Sequence, residues 1–142
     1  MITYVDTSTL LKVLVDEPGS DVAEQVWEAS PTLASVALVV VEARAALARA
    51  HRTGRLTTAQ HRQAKTGMAG LLGDLTLVEV SPTVLDQAED LAERDALRGS
   101  DAVHLAAALL VGAEVLSSAD RELCDAAARH GLHVANPLDG LA

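Results

Sequence analysis

Short apolar stretches alternate along the chain with longer segments in which apolar residues recur every three or four positions. Ile2 to Asp6 alternates apolar and polar residues and predicts a strand. Thr7 or Ser8 is placed to cap a short helix running through Val15. Pro18-Gly19 makes a turn. Ser20 then caps a second helix, with Asp21 and Glu24 in its first turn, where the helix dipole favours acids; Pro31 ends it. Thr32 to Ala34 predicts a second strand. Ser35 is expected to cap a longer helix ending near Thr53-Gly54, with Leu38, Val41, Ala45 and Ala48 on its apolar face. A further helix begins near Thr57, where Gln60 completes a capping box, and fades near Gly67, Gly70 and Gly73. Leu75 to Val80 predicts a strand. Ser81-Pro82, a cap followed by a first-turn proline, opens a helix to about Asp95. The loop Arg98-Gly99-Ser100 supplies a cap for a small-residue helix from Asp101 to Val111. Glu114 to Ser117 is a strand, Ala119 to His130 a helix closed by Gly131, and Leu132 to Ala135 a last strand before Pro137.

Strands that alternate with helices in this way predict an α/β fold: a short, mostly parallel central sheet with helices on both faces. The chain shows no internal repeat, low-complexity segment or linker, so residues 1–142 are expected to form one domain. In such folds ligands bind at the carboxyl ends of the strands.

That edge draws attention to four acids. Asp6 ends the first strand, Asp101 opens a helix, Asp120 lies just past the strand ending near Ser117, and Glu42 interrupts the apolar run Val39-Val40-Val41. Each acid has a plain structural reading. Asp6, Asp101 and Asp120 suit helix starts, and Glu42 could pair with Arg44 or Arg49. Gathered together they would repel, by about 4 kcal/mol for two carboxylates roughly 4 Å apart at an effective dielectric near 20. Such a group persists by holding protons or by binding a cation. Hard oxygen donors favour Mg²⁺ or Mn²⁺. His104, one helical turn after Asp101, is a candidate ligand; the plainer reading is a partly buried histidine bonded to a backbone carbonyl. His51, His61, His130 and His133 have no zinc-site spacing.

Composition narrows the function classes. The 142 residues are 49% hydrophobic, with no Phe, one Trp and one Tyr. The core must therefore be Leu, Val and Ala, and no aromatic platform exists for stacking bases. The single cysteine, Cys124, sits among Leu123 and Ala126 to Ala128 and reads as a core residue rather than a nucleophile. No apolar run is long enough to cross a bilayer, and no leader-like segment precedes Ile2, so a cytosolic protein is expected. No glycine fingerprint for nucleotide phosphates follows a strand. The net charge of −9 is unusual for a nucleic-acid binder, but it is unevenly spread. Residues 43–73 hold no acid and six bases: Arg44, Arg49, Arg52, Arg55, Arg62 and Lys65. This stretch is either a solvated basic helix face or a phosphate-binding surface beside the acids; Arg44, Arg49, Arg52 and Arg55 are the candidate contacts.

The segments Val5-Asp6-Thr7-Ser8, Glu42 before an Ala-rich helix, Gly99-Ser100-Asp101-Ala102-Val103-His104-Leu105-Ala106-Ala107-Ala108 and Leu116-Ser117-Ser118-Ala119-Asp120 occur in this order. Together they resemble the PIN domain, specifically the small VapC-like ribonuclease toxins of bacterial toxin–antitoxin pairs, over nearly the whole chain. The resemblance implies that Asp6, Glu42, Asp101 and Asp120 are catalytic and bind Mg²⁺ or Mn²⁺ to cut RNA. It implies a supporting role for Thr7 or Ser8. The last motif usually carries Thr two residues before its Asp; Ser118 retains the hydroxyl here. It further implies a homodimer and a cognate antitoxin. Two other readings compete: a catalytically silent PIN-like binding module, and a phosphoacceptor receiver domain. The latter needs a lysine after a late strand, and the chain has only Lys12 and Lys65.

Overall fold

The structure, a computed structural model, describes residues 1–139. Its elements in chain order are β1 (Ile2–Val5), α1 (Thr7–Leu14), α2 (Ser20–Ala29), β2 (Thr32–Val36), α3 (Leu38–Arg52), α4 (Thr58–Gly73), β3 (Leu75–Val78), α5 (Pro82–Arg94), α6 (Gly99–Leu110), β4 (Val115–Ser117), α7 (Arg121–Arg129) and β5 (His133–Ala135). All strand pairings are parallel, in the order β3-β2-β1-β4-β5. The first half of the chain therefore builds outward from β1 on one side, and β4 and β5 return to its other side. The strand order reverses between β1 and β4, which makes the carboxyl edge there the switch point where ligands of such sheets bind.

Alternation along the strands sends side chains into two cores. Tyr4, Ala34, Val36 and Leu116 meet Leu91, Leu105 and Leu123 from α5, α6 and α7. Val5 and Leu33 meet Leu10, Trp27, Val39, Leu47 and Met68 from α1 to α4. Small residues do much of the packing: α6 buries Ala102 and Ala106 to Ala108 and lies against α5 and β2. Without a bulky side chain between them, backbones approach closely enough to fill a core that lacks Phe.

Several local expectations give way to tertiary packing. Ser35 caps nothing. It is fully buried in β2, which runs two residues longer than predicted, and its hydroxyl donates to the Val5 carbonyl across the strands. α3 starts at Leu38 without a side-chain cap. Its buried stripe is Val39, Ala43, Leu47 and Ala50, whereas Val41 is 66% exposed. The apolar run Leu38 to Val41 fits more than one helix face, and the sheet selects the one led by Val39. Ser20 also fails to cap α2: Gly19 occupies that position in the left-handed region (φ 90°), and the Ser20 hydroxyl donates to the Val15 carbonyl instead. A Cβ on Gly19 would lie 3.0 Å from the Pro137 carbonyl oxygen, so both backbone angle and space require glycine. α4 runs through Gly67 and Gly70 and ends at Gly73, the last of the three glycines expected to close it. Burying Ala64 and Met68 there outweighs a glycine penalty of about 1 kcal/mol each. The Thr57–Gln60 capping box and the Ser81-Pro82 start are formed as expected. No helix among the described residues is long and apolar enough to cross a membrane.

Candidate active site

Asp6 is the first residue after β1. Its backbone N–H donates to the Ser117 carbonyl at 3.1 Å, extending the β1–β4 pairing to the edge of the sheet. Asp6, not Thr7 or Ser8, is the N-cap of α1: its Oδ1 accepts from Thr9 N–H at 3.1 Å and from the Ser8 hydroxyl at 2.6 Å. Its Oδ2 accepts from the Ser118 hydroxyl at 2.6 Å. Capping and site-building are thus done by the same carboxylate.

Ser118 is fully buried at the start of the β4–α7 turn. Its Oγ also accepts from Asp120 N–H at 2.9 Å, and the Ala119 N–H donates to Ser8 Oγ. This hydroxyl ties the loops after β1 and β4 to each other. Asp120 caps α7, with Oδ1 accepting from Leu123 N–H at 3.2 Å.

Asp101 stands in the first turn of α6 and is 7% exposed. Ser100 is not its helix's cap; Arg98 holds that position, without a side-chain capping bond. The Arg98 side chain takes a different role. Its Nε and Nη2 donate to Asp101 Oδ2 at 3.2 and 3.1 Å, and Nη2 donates to Asp120 Oδ2 at 2.6 Å. One guanidinium thus spans two of the four acids. Burial, and then the charge of Asp120, raise the Asp101 carboxyl above the ordinary range, against the pull of Arg98.

Glu42 lies in the second turn of α3. Its Oε1 accepts from the Thr7 hydroxyl at 2.9 Å and lies 2.7 Å from His104 Nε2. Burial alone would raise this carboxyl. The His104 and Thr7 hydrogen bonds outweigh it and hold Glu42 below the usual range. His104 bonds no backbone carbonyl; its partners are Glu42 and, at 2.7 Å through Nδ1, the Tyr4 hydroxyl.

All four acids therefore occupy one end of the sheet, around the β1–β4 switch point. Their side chains are turned to different neighbours: Asp6 to hydroxyls, Asp101 and Asp120 to Arg98, Glu42 to Thr7 and His104. Among the described residues no three His, Cys, Asp or Glu side chains converge closely enough to grip an ion as they stand. The donor set nonetheless suits a hard divalent cation. It is all carboxylate oxygen, flanked by hydroxyls, and one pair of its acids, Asp101 and Asp120, already shares a positive group.

The basic residues divide. Arg44, Arg49 and Arg52 are exposed on α3. Arg49 follows Glu42 by two helical turns on the same face, about 10 Å along the axis. Arg44, two residues from Glu42, points around the helix, where its charge acts on His61. Arg55 lines a groove with Leu14, Val15, Asp16 and Leu56, which includes none of the four acids. Arg98 was legible only as part of a loop, although its i, i+3 spacing from Asp101 was available. Cys124 is buried with its Sγ against the Ser118 carbonyl, and burial pushes its thiol up to about 12, so it stays protonated. Lys12 is paired with Glu17 on α1, and Lys65 is in α4, so neither supplies the receiver-type lysine.

A parallel five-stranded sheet with this strand order, and acids at its β1–β4 switch point, defines an α/β protein with a carboxylate-rich site at the sheet edge. The profile of the PIN domain matches residues 3–129, and the chain belongs to the PIN-domain family. Two relatives from Mycobacterium tuberculosis, Ribonuclease VapC45 and Ribonuclease VapC49, are each 39% identical over 136 residues, covering 94% of this chain and 94% of theirs. Among solved structures, PAE2754 from Pyrobaculum aerophilum superposes with a TM-score of 0.69 at 23% identity, covering 94% of this chain and 89% of that one. The fold is also similar to a toxin–antitoxin complex from Klebsiella pneumoniae (TM-score 0.65, 22% identity, 95% and 97% covered).

Proposed function

We propose that this chain is a metal-dependent endoribonuclease of the VapC kind, acting as the toxin of a toxin–antitoxin pair. The observation that supports it most is the joining of Asp6 to the Asp120 loop through Ser118, with Asp101 and Asp120 sharing one cation, at the switch point of the sheet. The 39% identity to two proteins named as ribonucleases supports RNA as the substrate. Asp6, Asp101, Asp120 and Glu42 would hold Mg²⁺ or Mn²⁺. When bound, the ion would activate water and neutralise charge on a phosphodiester oxygen. Asp6 is oriented by Ser8, Thr9 and Ser118, and Glu42 by Thr7 and His104, so these carboxylates are held before substrate arrives. Arg98, 70% exposed, either moves aside for the ion or turns outward to a phosphate. Arg49 and Arg52 extend a positive track from Glu42 along α3.

The chain is read as one domain acting in the cytoplasm. A cognate antitoxin and a homodimer are further parts of this proposal, in line with the named relatives and with the Klebsiella complex. Light scattering of the isolated chain tests the dimer. The central test is RNA cleavage by purified protein with Mg²⁺ or Mn²⁺. Chelator, Asp6→Asn and Asp101→Asn are each expected to lower the rate by about 100-fold or more. Undiminished cleavage by these variants would refute the assignment.

A silent binding module is favoured by one observation: every acid already has a protein partner. Metal binding without turnover of a broad RNA panel would establish that reading instead.

A further inference from the structure

His104 is 2% exposed, lies in α6 beneath the acidic edge of the sheet, and is enclosed beside Glu42. It stands between two groups from different elements. Tyr4 Oη, from β1, is 2.7 Å from Nδ1; Glu42 Oε1, from α3, is 2.7 Å from Nε2. The direction of these bonds follows from the donors available. Tyr4 Oη accepts from the Val36 N–H at 3.2 Å. The Tyr4 hydroxyl backs Nδ1, in a site where no buried side-chain polar atom among the described residues lacks a partner. A carboxylate oxygen only accepts, so at 2.7 Å the hydrogen lies on Nε2 and is donated to Glu42.

The geometry points to His104 as a positioning residue: an imidazole backed by Tyr4 whose Nε2–H fixes one oxygen of Glu42 and leaves the other to the cation. Thr7 supplies the second donor to the same Oε1, so two hydrogen bonds converge on that atom. A glutamate on a solvent-facing helix turn would otherwise sample several rotamers. Here the clamp removes that freedom before an ion or RNA arrives. The chain Val36–Tyr4–His104–Glu42 also runs from β2 through β1 and α6 to α3, so the orientation of the carboxylate is referred to the rigid sheet.

This role rests on the proposed metal site, and the experiment separates the two. Long-range ¹H–¹⁵N correlation on the metal-free protein at pH 7.5 reads the Nε2–H directly. The expected spectrum has a protonated Nε2 for His104; an unprotonated Nε2 would overturn the inference. Calorimetric titration with Mn²⁺ then reads the consequence. His104→Leu, which keeps volume but donates nothing, should weaken Mn²⁺ by 10- to 100-fold. His104→Gln, whose amide can reach Glu42, should restore affinity to within about threefold of wild type. Tyr4→Phe should leave Mn²⁺ bound but move the His104 ring-nitrogen signals. Equal Mn²⁺ affinity in wild type and a folded His104→Leu protein would end the positioning role while leaving the metal site standing. Should His104→Leu fail to fold, failure of a folded His104→Gln to bind within threefold would overturn it equally. A wild type that binds no Mn²⁺ would overturn the metal site itself, and the role of His104 with it.

Discussion

At the scale of single residues, the site is built from hydroxyls as much as from acids. Ser118 donates to the buried Asp6 carboxylate, a bond to a charged group in a place water does not reach. Ser118→Ala should lower stability by about 2 kcal/mol in chemical denaturation, the usual loss for such a bond. Ser118→Thr, which keeps the hydroxyl, should recover most of it. A distant pair gives the pH response. Asp95 accepts from His130 at 2.9 Å and from Arg129 at 3.0 Å. The His130 hydrogen bond first, then Arg129, hold its carboxyl below the ordinary range despite partial burial. A lowered folded value means that the contribution is complete above the unfolded value near pH 4 and vanishes as pH falls through the folded one. Asp95→Asn should therefore cost about 0.5–1 kcal/mol at pH 7, and the difference from wild type should close in strong acid. A constant difference down to pH 2 would contradict it.

At the scale of elements, strain and caps mark where the chain changes direction. Ala96, between α5 and α6, has φ 52°, a left-handed angle that an L residue with a Cβ adopts at a cost of about 1 kcal/mol or more. Ala96→Gly relieves this but frees the unfolded chain, for a net gain of up to about 1 kcal/mol, seen as a higher melting temperature. The elements themselves were largely legible. Strands alternating with helices gave the parallel sheet, and Thr57, Gln60, Ser81 and Pro82 gave two helix starts, because capping is local chemistry. Ser20, Ser35 and Ser100 carried the same local signal and mislead. At Ser35 the burial of β2 decides, at Ser20 the Gly19 turn against Pro137, and at Ser100 the earlier start of α6. The four acids could be found because strand ends and helix starts are readable positions. The Tyr4–His104–Glu42 line could not, since its partners are 38 to 100 residues apart and meet only through the sheet order. Arg98 was hidden for a related reason: its second partner, Asp120, lies 22 residues away.

At the scale of the whole molecule, charge is the dominant theme. A protein of net charge −9 places four carboxylates at one edge, and a single guanidinium, that of Arg98, bridges two of them. If the edge binds a divalent ion, millimolar Mn²⁺ or Mg²⁺ should raise the melting temperature by several degrees. Ligand at 100 times its Kd adds about 2.7 kcal/mol, and each kcal/mol is worth roughly 2–4 °C for a domain of this size. Asp101→Asn should blunt the rise. Arg98→Ala removes the competing cation and should enlarge it; a smaller rise would show that Arg98 helps to hold the ion or its ligands.

The order of assembly along the polypeptide has a biological corollary. Asp6 emerges early in synthesis, but the hydroxyl that orients it and the carboxylate opposite it belong to residues 118 and 120, beyond β4. A nascent chain halted before that strand has neither half of the clasp, and β1 lacks its neighbour on that side. On the proposed ribonuclease reading, translation must be nearly finished before the site is complete, and a fragment ending at residue 110 should leave RNA intact.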